Sequence, residues 1–117
     1  MEKIKFTLLI VLAGLFAITL NSCKKSVNED PRARIINNGT QKASVQIKTS
    51  SGNTVNINNV DPGTSSAYSS YAAGQVTFTI TVNNNNYVKI LNIGIGYDYD
   101  IAIDANNIIT SISIHRN

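Results

Sequence analysis

The sequence predicts an all-β fold. It is an antiparallel β-sandwich, immunoglobulin-like or transthyretin-like, of about seven or eight strands. Three observations carry this. Beyond Pro31 the chain is rich in Ile, Val, Thr, Ser, Asn and Tyr, with Leu91 its only leucine and no methionine or tryptophan. Apolar and polar residues alternate with a period of two, the spacing of a strand buried on one face. Asn, Gly and Pro clusters break these runs at intervals of about eight to twelve residues. A polar outer face favours antiparallel pairing over a parallel sheet covered by helices. A small closed β-barrel is the alternative.

The elements follow in order. The first strand is expected near Ala33–Asn37, stopped by Asn38-Gly39, a pair that suits a hairpin turn. The second spans about Ala43–Thr49, with Val45 and Ile47 inward and Gln46 and Lys48 outward. Ser51-Gly52-Asn53 turns the chain into a third, Thr54–Val60, where Val55 and Ile57 alternate with Asn56 and Asn58. Asp61-Pro62-Gly63 is a turn, because proline presets φ and glycine accepts a positive one. A fourth strand is expected over Ser66–Tyr71. The clearest is Gln75–Val82, with Val76, Phe78, Ile80 and Val82 on one face and Thr77, Thr79 and Thr81 on the other. Asn83–Asn86 is a four-asparagine loop. The run Tyr87–Ile95 changes phase near Ile90-Leu91, which predicts a bulge or bend. Tyr97–Ile103 alternates again, Asp104–Asn107 turns, and Ile108–His115 closes the domain.

The amino-terminal part differs. Lys3 and Lys5 precede fifteen uncharged residues, Phe6–Leu20. As a helix at about 1.5 Å per residue this run is short of a ~30 Å hydrocarbon core. A basic start, a short apolar run and a small residue at its end describe a signal peptide, residues 1–22. Leu20-Asn21-Ser22-Cys23 resembles the lipobox of bacterial lipoproteins. The resemblance implies cleavage between Ser22 and Cys23, a diacylglycerol on the Cys23 thiol, and acylation of the new amino terminus. Two or more acyl chains hold a protein to a membrane where one holds it only marginally. Cys23 is the only cysteine, so no internal disulfide is available. Residues 23–31 read as a polar tether and 32–117 as one domain. The expected location is the bacterial cell envelope, at the outer membrane and facing either side of it.

The chain has ten basic and seven acidic residues, a net charge of +3. The charge is spread thinly, so nucleic acid is not an expected partner. Phosphate loops, Ser/His/Asp sets and dinucleotide fingerprints are lacking in the sequence, and no cofactor is expected.

Arg32–Asn37 (RARIIN), Val55–Val82 and Tyr97–Ile103 (YDYDIAI) resemble the DUF4397-type domain, found in secreted and lipid-anchored bacterial proteins. Gly63, Ser66, Tyr68, Ala73, Gly74 and Thr77 match its turn-and-strand pattern. The resemblance implies a β-sandwich and no known activity.

Candidate sites are few. Asp98, Asp100 and Asp104 are hard oxygen donors near one another in sequence, a weak pattern for calcium. The plainer reading is a solvated strand face and an Asn-rich turn. Tyr68 and Tyr71, if outward, form a contact patch for protein or glycan, since tyrosine supplies contact area at low entropic cost. Asn38-Gly39-Thr40 matches a glycosylation acceptor, although a turn accounts for it. The function expected is non-enzymatic: adhesion, envelope structure or assembly with envelope proteins. A glycan- or calcium-binding module is the alternative.

Overall fold

The computed structural model describes residues 29–116. The expected signal peptide, Ser22, Cys23 and the tether up to residue 28 lie outside the described residues. The domain begins earlier than the change in composition suggests. Pro31 is buried, and the Glu29 carbonyl accepts a hydrogen bond from Gly96 N–H at 3.0 Å.

Nine strands follow: β1 (Arg32–Asn38), β2 (Ala43–Lys48), β3 (Thr54–Val60), β4 (Thr64–Ser65), β5 (Ser69–Ser70), β6 (Gly74–Val82), β7 (Asn85–Ile93), β8 (Tyr97–Asp104) and β9 (Ile109–His115). No helix occurs among the described residues. One sheet runs β4-β1-β8-β9, with β5 also paired to β1; the other runs β3-β2-β6-β7. No strand pairing joins the two, so this is a sandwich and not a closed barrel. Ile35, Ile101 and Ile103 from the first sheet meet Val45, Ile47, Val76, Phe78 and Ile80 from the second, all sealed from water. The period-two alternation puts them there.

Several expectations change. β1 and β8 pair in parallel, with Arg32 beside Asp98 and Asn38 beside Asp104, whereas every other pair is antiparallel. A parallel pair needs a long crossover, and here the second sheet together with β4 and β5 makes it. Asn38-Gly39 is consequently not a hairpin, because it carries the chain between sheets. Gly39 keeps a negative φ; it is small because a Cβ there would meet Asn37 Oδ1 at 3.1 Å. Of the expected fourth strand, Ser66–Tyr71, only Ser69–Ser70 is strand (β5), and another short strand, β4, lies just before it at Thr64–Ser65. β7 holds unbroken register with β6 from Asn85 to Ile93 and has no bulge. The apparent phase change arises because β7 is an edge strand with apolar residues on both faces. A bulge lies instead in β3, where Asn59 has φ 58° opposite Ala43–Val45. Val55, expected inward, is exposed near the open end of that edge.

Asn83 and Asn84, with φ of 51° and 63°, form the two-residue turn joining β6 to β7. Positive φ at both central residues is the type I′ geometry that matches strand twist. Asparagine tolerates this region better than other non-glycine residues.

Candidate functional site

The parallel register brings charges together on the outer face of the first sheet. Side chains at even positions from 32 to 38 and from 98 to 104 point outward, so Arg32 stands beside Asp98 and Arg34 beside Asp100. Arg32 Nε and Nη2 donate to Asp98 at 2.8 and 2.6 Å, and Arg34 makes the same fork to Asp100 at 2.8 and 3.2 Å. Planar guanidinium and carboxylate match in this two-bond geometry. Arg116 adds a contact from Nε to Asp98 at 3.2 Å, while its Nη2 donates to the carbonyl of Asp30 at 2.6 Å. The two ends of the described chain are thereby stitched to one another.

Tyr68 crosses this ladder. The loop carrying it is pinned to β1, since Ile35 N–H donates to Ser66 Oγ and Ser66 N–H donates to the Ile35 carbonyl. The Tyr68 ring lies 5.3 Å from the Arg32 guanidinium and 4.8 Å from that of Arg34. Its hydroxyl donates to Asp100 Oδ1. The ring therefore covers the cations while its hydroxyl completes a carboxylate.

Hydrogen bonding to the arginines lowers Asp98 and Asp100 below the usual carboxylate range, chiefly through Arg32 and Arg34 respectively. Burial raises Tyr68 above its ordinary value, aided by its bond to Asp100.

These contacts correct two sequence expectations. Asp98, expected on a solvated face, is buried and paired. Asp104 lies at the other end of β8, where Oδ1 accepts from Asn106 and Ile108 N–H and builds the turn into β9. The three aspartates do not converge, and no cluster of metal-ligating side chains occurs among the described residues. All three share the outward face of β8, but Asp104 lies six residues from Asp98, about 20 Å along the strand, and the arginines occupy the first two. Tyr71 is likewise not a surface residue: it is 5% exposed and packs in the core. Only Tyr68 of the proposed patch reaches the surface, and its face is taken up by the arginines.

Two surface features lie outside the sequence candidates. A polar cleft of about 160 Å³ opens at the β6–β7 turn end, lined by Asn37, Gln41, Asn83, Asn85, Asp104 and Asn107. Its Asn37 is fully buried, donating from Nδ2 to the carbonyls of Gln41 and Val60 and accepting from Gly39 N–H. The cleft is smaller than a drug-sized ligand needs. The second feature is the outer face of edge strand β7, where Val88 and Ile90 are 57% and 55% exposed. The β7 phase change noted in the sequence is the trace of these two residues.

No family model matches the chain, and no curated protein matches it. A solved structure described as the NMR structure of the protein from Eubacterium rectale is similar at TM-score 0.50 and 18% identity, over 76% of this chain and 91% of that one. At that identity the likeness concerns the fold alone.

Proposed function

We propose that the chain is a lipid-anchored protein of the bacterial cell envelope, held at the outer membrane through Cys23, whose sandwich contacts envelope partners and performs no chemistry of its own. The observation that carries the partner-binding part is Val88 and Ile90, side by side on the outward face of β7. An edge strand leaves backbone donors and acceptors unpaired, and natural edges are usually blunted by charge or proline. Inward Lys89, in register with Phe78, is such a charge and opposes pairing at this edge, so the contact falls to the apolar outward face.

Cross-linking in intact envelopes tests this. The wild-type chain should give a discrete partner adduct, which Val88→Lys/Ile90→Lys removes while the domain stays folded. A wild-type chain with no specific adduct would overturn the partner reading. For the anchor, Cys23→Ser should release the protein from membranes, and retention would overturn the lipid assignment.

A second reading is glycan binding in the amide-rich cleft at the β6–β7 turn end. A glycan array, repeated with Asn83→Ala, tests it; absence of any hit removes it.

A further inference from the structure

The chain enters the described fold at one end of the sandwich, and that end carries its own apolar surface. The Glu29 carbonyl accepts from Gly96 N–H, and Arg116 N–H donates to the Gly96 carbonyl at 2.8 Å. The entering segment, the turn between β7 and β8 and the end of β9 are therefore bonded together. Around this junction Ile95 is 47% exposed, Ile114 45% and Tyr97 37%. Tyr97 packs against the exposed His115, ring centroids 4.9 Å apart and planes tilted by 59°. The polar cleft lies at the opposite end of β8, about 25 Å away along eight residues at about 3.3 Å each.

We infer that this end, centred on Ile95, Tyr97 and Ile114, rests in the interface of the lipid bilayer that holds Cys23. The inference rests on the lipid anchor proposed above. Six residue steps separate Cys23 from Glu29, so the junction stays within about 22 Å of the anchored atom. A link of so few residues gives an effective concentration in about the millimolar range, which populates contacts too weak to form in free solution. Aromatic rings with a polar edge favour the headgroup level, and exposed isoleucines gain by leaving water. Net charge contributes little, because Glu29 and Asp30 largely offset Lys24, Lys25 and Arg116. The prediction is thus an apolar docking that tolerates salt. It turns the Asn-lined end and the apolar face of β7 away from the lipid surface.

The chain has no tryptophan, so a single introduced one is a clean reporter. The full lipidated chain carrying Ile95→Trp is reconstituted into vesicles of phosphatidylethanolamine and phosphatidylglycerol, with and without brominated acyl chains. A second chain carries Ala105→Trp at the far end. Trp at 95 should lose more than half its emission to the brominated lipid, and Trp at 105 should lose almost none. Equal quenching at the two sites, or none at either while the protein floats with the vesicles, overturns the docking and leaves the anchor standing. Failure of the chain to float at all overturns both. A blue shift at 95 that grows with protein concentration and ignores brominated lipid assigns the end to a second copy and overturns the lipid contact. An Ile95→Trp chain with an altered unfolding midpoint is replaced by Ile114→Trp, read in the same way.

Discussion

Arg32 and Asp98 stand 66 residues apart in sequence and side by side in the molecule, joined by two hydrogen bonds of 2.8 and 2.6 Å across a parallel strand pair. Arg34 and Asp100 repeat the relationship one pleat further on. The repetition follows from the one-to-one parallel register, which keeps a constant sequence offset.

Acid should weaken the fold through these pairs. Asp98 and Asp100 have folded pKa values below their unfolded value of about 3.9. Their stabilisation is fully present above about pH 5 and is lost as pH falls through 4 toward the folded values. Urea midpoints measured down this range should hold level and then drop. In Asp98→Asn/Asp100→Asn the drop should shrink; an acid limb of undiminished size would refute the assignment.

Tyr68 combines a ring contact with a hydroxyl contact, and the two separate by substitution. Tyr68→Phe keeps the ring over the arginines and loses the bond to Asp100, at a cost of about 1 kcal/mol. Tyr68→Ala loses both and should be less stable than Tyr68→Phe by equilibrium unfolding. Equal stability of the two variants would show that the ring contributes nothing.

Gly74 opens β6 with φ of 125°, and a Cβ there would sit 2.9 Å from Ser50 Cβ. Gly74→Ala should cost about 1–3 kcal/mol, the range for a side chain forced into such backbone. Adding Ser50→Gly removes the clash but not the backbone strain, so thermal unfolding should show partial recovery. Full recovery would place the whole cost in the clash.

The β6–β7 turn predicts effects of opposite sign. Asn84→Gly should leave stability equal or slightly higher, since Asn-Gly is the favoured type I′ pair. Asn84→Val should lose about 1–2 kcal/mol, the cost of a left-handed conformation for an L side chain. Denaturant midpoints decide between the two.

The sequence exposed the strands far better than their partners. Val76, Phe78, Ile80 and Val82 alternate cleanly because β6 is a central strand with one buried face, and they face inward as read. β7 was harder: Val88 and Ile90 break the pattern because an edge strand has no neighbour to bury or exclude them. The Arg32–Asp98 and Arg34–Asp100 pairs were invisible, since alternation gives the face of a residue but not which strand lies beside it. Asn37 looked like the last residue before a turn, yet its amide is buried and joins three backbone groups. Asparagine marks turns often enough to hide a structural one. Among the described residues, the four with positive φ other than glycine, Asn59, Asn83, Asn84 and Asn107, are all asparagine. The richness in this residue reflects backbone geometry at several turns and a bulge.

The parallel pairing of β1 with β8 has a consequence in time. The first strand of the sheet has its longest partner near the end of the chain, so the edge that β8 covers stays open while the 66 residues up to that partner are made, although β4 and β5 can pair on the other edge sooner. At about 5–20 residues per second this wait lasts about 3–13 s. Non-local pairing of this kind also slows folding itself, because loop closure precedes any reward in contacts. A nascent chain therefore emerges with Arg32 and Arg34 lacking their aspartates and that edge of the sheet open.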